Sequence, residues 1–166
     1  MQIVLHRPEI PQNTGNIGRT CVATGCPLHL IEPLGFQLNE KKLKRSGMDY
    51  WDELELRRHV NLRAFREWYA EAFPQGRIWM LTTKAPQLYT EVSYGADDAL
   101  LFGAESCGLP EEELITDKAH CIRIPMTEGA RSLNLSNAVA VVLYEALRTQ
   151  HFPGLQTEGR LHRLTW

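Results

Sequence analysis

Apolar positions fall into short runs separated by polar segments carrying glycine and proline. Gln2 to His6 is a continuous apolar, β-branched run and predicts a buried strand. Beyond Pro8 and Pro11 the period changes. Ile17, Thr20, Cys21 and Thr24 fall on one helical face, so a helix is expected from about Asn13, with Asn13 or Thr14 as its N-cap and Gly25 as its stop. Leu28 to Glu32 predicts a second strand, closed by Pro33 and Gly35. Residues 39 to 46 predict a short basic helix, broken by the segment from Gly47 to Trp51. A weak strand is expected over Leu54 to Val60, and the stripe Leu62, Phe65, Tyr69, Phe73 predicts a helix over 62 to 73. Strands follow at Arg77 to Thr82 and Ala99 to Gly103, with a loop at Pro86 between them. A short helix is expected over Glu111 to Thr116 with Pro110 in its first turn. The last strand spans Cys121 to Pro125 and the last helix Asn134 to Gln150.

Strands alternating with helices specify an α/β fold built on a mostly parallel sheet flanked by helices. A single domain over 1–155 is expected, with 156–166 as a C-terminal tail; from His151 onward, Pro153, Gly154 and Gly159 indicate irregular structure. The last helix is apolar on nearly every side, with Leu135, Ala138, Val139, Val141, Val142, Leu143, Ala146 and Leu147 leaving little polar stripe. Such a helix must be buried on both sides, and in so small a domain one side points to a second copy of the chain, a homodimer.

Composition narrows the function classes. The longest apolar stretch, Ala138 to Tyr144, falls far short of the roughly 18 residues of a membrane span, and the N-terminus has no cationic leader region, so a cytoplasmic protein with no membrane partner is expected. Cys21, Cys26, Cys107 and Cys121 form no CxxC pair and have no histidine at finger spacing, which predicts reduced cysteines and no metal site. The net charge of −2 provides no overall attraction to nucleic acid. Only the cluster Lys41, Lys42, Lys44, Arg45 is a candidate RNA track, and a solvated helix face explains it equally well.

Three polar segments follow strands: PQNTGNIGR at 11 to 19, FGAESCGLP at 102 to 110 and EGARSLNLSN at 128 to 137. In an open parallel sheet such segments gather along one edge, where ligands bind. The first, with Glu32 further on, imitates a dinucleotide fingerprint, but Gly15-x-x-Gly18 lacks the GxG pair and the prolines lengthen the connection. Its glycines either bend the backbone around a site or merely permit close packing. Glu105 lies just past a buried strand. Ser132, Asn134 and Ser136 compete to cap the last helix; only one can, and the surplus suggests a second task.

Taken together, the three segments resemble the motifs of the SPOUT class of RNA 2′-O-ribose methyltransferases. Asn13-x-Gly15-x-Ile17-x-Arg19 resembles the first, Phe102-Gly103-x-Glu105-x-x-Gly108-Leu109-Pro110 the second, and Ile124-Pro125-Met126 through Ser132-Leu133-Asn134-Leu135-Ser136-Asn137-Ala138 the third. IPQNTGNIGR, LHLIEPLGF and SLNLSNAV are most similar to the minimal subgroup, the catalytic domain alone, which acts on the wobble nucleotide, cytidine or a modified uridine at position 34, of leucine tRNAs. The resemblance implies a deep trefoil knot near the C-terminus, S-adenosylmethionine bound within it in a bent form, and a homodimer whose active site draws on both subunits. By position, it assigns Leu81, Gly103, Ile124 and Ser132 to the cofactor pocket, with Met126 and Leu133 beside them. Asn13, Arg19, Glu105, Ser132 and Asn134 match catalytic and substrate-orienting positions. Tyr144 matches an RNA-handling position, although a core tyrosine would fit there too. The alternatives are the same chemistry at another tRNA position or on rRNA, and a non-catalytic RNA-binding factor, which would be expected to lack Arg19, Glu105 or Asn134. The family role of proton acceptor for Arg19 conflicts with the chemistry of a guanidinium, which stays charged and offers no acceptor. Orientation of the 3′-phosphate and a positive field at the hydroxyl suit it better.

Overall fold

A computed structural model describes residues 1–38 and 49–166; the basic helix expected over 39 to 46, with Lys41, Lys42, Lys44 and Arg45, lies outside the described residues. Among the described residues there are seven strands, β1 (Gln2–His6), β2 (Leu28–Ile31), β3 (Leu56–His59), β4 (Ile78–Leu81), β5 (Gln87–Leu88), β6 (Ala99–Phe102) and β7 (Cys121–Arg123). They form one sheet in the order β3-β2-β1-β6-β4-β7-β5, and every pairing is parallel. Among the described residues four α-helices accompany it: α1 (Pro11–Thr24), α2 (Leu62–Ala72), α3 (Glu111–Leu114) and α4 (Leu135–Thr149).

Alternation along the central strands sorts their side chains onto two faces. Ile3, Leu5, Leu28, Leu30, Leu100, Phe102 and Ile122 meet Ile17 and Cys21 of α1 and Val139, Val142, Leu143 and Ala146 of α4. Val4, Ile31, Met80 and Leu101 meet Leu62, Phe65 and Tyr69 of α2 and Leu114 of α3. Both faces are covered, which is why the inner strands read as unbroken apolar runs.

Several boundaries differ from expectation. Helix α1 starts at Pro11, so Asn13 and Thr14 lie buried inside it and neither caps it. The N-cap is Ile10, which makes no side-chain cap bond; the helix ends as expected at Gly25, with φ 66°. The glycines of the first segment are therefore helical and form no loop around a site. A Cβ on Gly18 would come within 3.2 Å of both Leu54 and Trp51, so this glycine serves close packing. The weak strand contracts to β3. Strand β5, two residues long, emerges from the segment read as a loop at Pro86. Helix α3 stops at Leu114 and continues as a 3₁₀ segment, Ile115–His120. There the Thr116 hydroxyl donates to Glu113 O at 2.6 Å and His120 Nδ1 lies 2.7 Å from Asp117 Oδ2, local side-chain bonds that compete with helix continuation. Only one side of α4 is buried within the chain; Val141 (40%) and Tyr144 (45%) are exposed on the other, so Tyr144 is not a core residue. Beyond His151, Phe152 and Leu155 still pack on the core, and every residue from Gln156 on is exposed.

Beneath α2 the sheet buries a polar group. His29, 0% exposed, has Nδ1 2.9 Å from His59 Nε2 and Nε2 3.0 Å from Gln2 Oε1, among the rings of Phe65 and Trp68. Burial first, then His59 and Arg57, pushes its pKa down to about 3. The unfolded chain therefore takes up this proton first as pH falls. The stabilising contribution of neutral His29 is fully present above the ordinary histidine value of about 6.5 and is lost progressively down to about 3. Urea denaturation across that window should show stability falling with pH, and His29→Gln, which retains an amide donor and acceptor, should flatten the slope.

Candidate active site

Three loops meet at the C-terminal ends of β1, β6 and β7. The first is secured by Glu105, just past β6. Its carboxylate accepts hydrogen bonds from the backbone N–H of Glu9 at 2.7 Å and of Ile10 at 3.2 Å. This contact supplies the anionic partner that the start of α1 lacks in its own sequence. A reciprocal pair completes the clamp: Glu9 accepts from the backbone N–H of Ser106 at 2.9 Å and from its hydroxyl at 2.7 Å.

Asn13 connects this clamp to the third loop. Only 5% exposed, it donates from Nδ2 to Glu105 Oε1 at 3.0 Å and accepts at Oδ1 from Asn134 Nδ2 at 2.9 Å. Asn134 is the residue that caps α4: its Oδ1 accepts from Ser136 N at 2.9 Å, from the Ser136 hydroxyl at 2.7 Å and from Asn137 N at 3.4 Å. An Asn amide presents a donor and an acceptor on one planar group, so a single side chain bridges a carboxylate to a second amide.

The middle loop needs its glycines. After Gly103 the chain doubles back so tightly that a Cβ there would sit 2.0 Å from Gly108 C and 2.2 Å from Leu109 N. Gly108 closes the turn with φ 71°, donating to Ala104 O at 2.8 Å.

These loops enclose an open cleft of about 660 Å³, within the usual range for small-molecule sites. Leu81, Gly103, Ile124, Met126, Ser132 and Leu133 line it, together with Asn13, Glu105 and Asn134. Arg19 and Tyr144 do not. Arg19 is exposed on the solvent side of α1, its guanidinium carbon 5.0 Å over the Tyr50 ring, and Tyr144 is exposed on α4, which packs beside α1. The cleft suits an adenosyl group: Leu81, Ile124, Met126 and Leu135 offer apolar walls, and the tight Gly103–Gly108 turn brings backbone groups to its edge. Sequence reasoning missed Glu9 and Ser106, whose pairing depends on two loops remote in sequence. It also missed Lys84, which reaches the cleft from the end of β4 while paired with Glu111. Among the described residues no cluster of histidine, cysteine and carboxylate groups could hold a metal, and no helix is long and apolar enough to cross a membrane.

A family model described as the SpoU rRNA methylase family matches residues 1–144. The chain belongs to that family. A family relative from Saccharophagus degradans, named tRNA (cytidine(34)-2′-O)-methyltransferase, is 51% identical over 92% of this chain and 97% of its own. One of the same name from Yersinia pestis is 48% identical over 93% and 96%. A solved structure concerned with 2-OH methylation of C/U34 on tRNA superposes with a TM-score of 0.79 at 46% identity, covering 90% of this chain and 95% of that one. The SpoU methyltransferase AviRb from Streptomyces viridochromogenes, in complex with the cofactor AdoMet, gives 0.77 at 25% identity, over 93% of this chain and 58% of its own.

Asn13→Ala would leave Glu105 and Asn134 each short of a partner. A loss of about 2 kcal/mol in urea denaturation is expected, with Asn13→Asp more damaging because it sets a second carboxylate against Glu105.

Proposed function

We propose that this protein is an S-adenosylmethionine-dependent methyltransferase acting on the ribose 2′-hydroxyl of the wobble nucleotide, cytidine or modified uridine 34, of leucine tRNAs, in the cytoplasm and as a homodimer. The observation that carries the reading is the hydrogen-bonded chain Glu105–Asn13–Asn134, which draws all three family segments around one cleft. Relatives near 50% identity, named for this reaction and matching over nearly their whole lengths, support the choice of nucleotide.

Leu81, Ile124, Met126 and Leu133 would hold the cofactor's adenosine against the Gly103 turn, with Ser132 at the polar rim. When bound, S-adenosylmethionine supplies an electrophilic sulfonium methyl whose sulfur leaves as a neutral thioether. The remaining work is positioning: holding the 2′-oxygen in line with the methyl carbon can contribute up to roughly 7 to 11 kcal/mol. As the oxygen–carbon bond forms and the carbon–sulfur bond breaks, the hydroxyl proton departs to water or to an RNA phosphate oxygen.

Arg19 enters this scheme from the second subunit. It lies on the solvent side of the α1–α4 layer with Val141 and Tyr144, and an isologous contact through that layer would carry it to the neighbouring cleft. There the guanidinium orients the 3′-phosphate and lowers the effective pKa of the hydroxyl by its charge. Tyr144 sits at the same contact, close to the RNA.

Two outcomes test this. Arg19→Lys should retain part of the turnover while Arg19→Ala loses it, with both variants still binding tRNA and cofactor. Equal inactivity at every pH would defeat the field argument. Arg19→Ala and Asn134→Ala proteins, each inactive alone, should recover about a quarter of wild-type methyl transfer after subunit exchange at equal concentration, because half the dimers then hold one intact shared site. No recovery despite exchange would place Arg19 in the cleft of its own chain.

A further inference from the structure

A second cleft, of about 340 Å³, lies across the 104–108 turn from the first and shares Ala104, Cys107 and Gly108 with it as a common wall. Its floor is His6, the last residue of β1, only 8% exposed. His6 Nδ1 is sealed from solvent without a hydrogen-bond partner. Burial foremost, then the neighbouring Arg7 charge, lowers the His6 pKa against the opposing pull of Glu113, so the ring is neutral near pH 7. A neutral imidazole carries one N–H. An orphaned buried donor is rarer and costlier than an orphaned lone pair, so the proton belongs on Nε2, the nitrogen left to face the cleft. Next to it Arg7, exposed, is held at φ 56°, a left-handed conformation uncommon outside glycine and one that marks functional loops. Pro33, Leu34 and Pro110 give apolar sides. Apart from the shared 104–108 turn, the methyl-transfer scheme uses none of these residues.

The geometry points to this second cleft as the pocket for the pyrimidine base of the methyl-accepting nucleotide, with His6 Nε2–H donating to the base O2 and Arg7 pairing with the adjoining phosphate. The inference rests on the substrate reading above. The shared wall lets one nucleotide straddle the turn, its ribose in the first cleft and its base in the second. A volume near the lower end of the roughly 300 to 1,000 Å³ typical of ligand pockets suits a single unstacked base. O2 is an acceptor common to cytosine and uracil, so one neutral donor accepts either base, and the apolar side chains of Pro33, Leu34 and Pro110 pack against it. Arg7 contributes through charge, as phosphate contacts do, without choosing the base.

The test uses anticodon stem-loop RNAs carrying cytidine, uridine or an abasic ribose at the accepting position, with wild type, His6→Leu, His6→Asn and Leu34→Trp enzymes. Wild type should lose at least about tenfold in kcat/KM on the abasic RNA. His6→Leu should fall about tenfold on cytidine and uridine yet match wild type on the abasic substrate, with unchanged cofactor affinity. His6→Asn, which keeps an N–H, should recover part of the loss. Leu34→Trp, filling the cleft from its rim, should give the same base-dependent pattern and decides the matter if His6→Leu does not fold. Folded His6→Leu or Leu34→Trp enzyme that keeps the full wild-type dependence on the base overturns the inference. Wild type that methylates another nucleotide but not the one at the wobble position overturns the substrate reading instead, and the base pocket with it.

Discussion

The amide of Asn13 is the point on which the site depends. It is nearly out of contact with water, and both of its polar atoms are used, one on the Glu105 carboxylate and one on the Asn134 amide. Glu105 fixes where α1 begins, and Asn134 fixes where α4 begins. One planar group therefore sets the relative placement of two helices and the turn after β6. Only Asn13 of this network is buried, with Glu105 half-buried and Asn134 exposed, so the arrangement depends most on keeping both polar atoms of Asn13 paired. The Glu9–Ser106 pairs hold the same two loops from the outer side.

The division of labour between the parallel sheet and its loops follows from this arrangement. Apolar strands covered by helices on both faces give a rigid base, and Gly103 and Gly108 allow the turn above β6 to close on itself. That turn separates two clefts, one lined by apolar side chains, the Asn13 network and further polar groups such as Thr82, Lys84 and Arg131, the other lined by a neutral histidine. The α1–α4 layer has a different character. Val141 and Tyr144 are exposed on α4 and Arg19 on the neighbouring α1, its guanidinium resting over Tyr50 and outside the lining of its own chain's cleft. The proposed dimer through this layer would bring to a cleft lined within one chain an arginine that does not line the cleft of its own.

Much of the fold was legible because the inner strands are short apolar runs and the helices carry a clear 3.6-residue stripe. What failed was local. Asn13 and Thr14 have the side chains of an N-cap, but the carboxylate serving the start of α1 comes from Glu105, over ninety residues away, and no local pattern reports that. Strand β5 is too short to show a period, and the 3₁₀ segment after α3 depends on side-chain bonds that propensity does not register. At the site, parallel strands ending on one edge explained why the three segments gather there, but the lining residues Leu81, Ile124 and Met126 lie outside those segments and came only from the family resemblance. Neither the Glu9–Ser106 pairing nor the unpartnered His6 ring could be read in advance: a histidine ending an apolar strand looks like core until its neighbours are known. The exposed side of α4 was hidden by composition, because a helix apolar all round does not say which side its own chain covers.

The most direct measurement of the central claim is a map of ribose methylation in total tRNA from cells with and without this protein. The account predicts loss of the 2′-O-methyl group at nucleotide 34 of leucine tRNAs, with other ribose methylations unchanged, and restoration by the wild-type chain but not by Asn13→Asp. A wobble ribose that remains methylated in leucine tRNAs without the protein would contradict it.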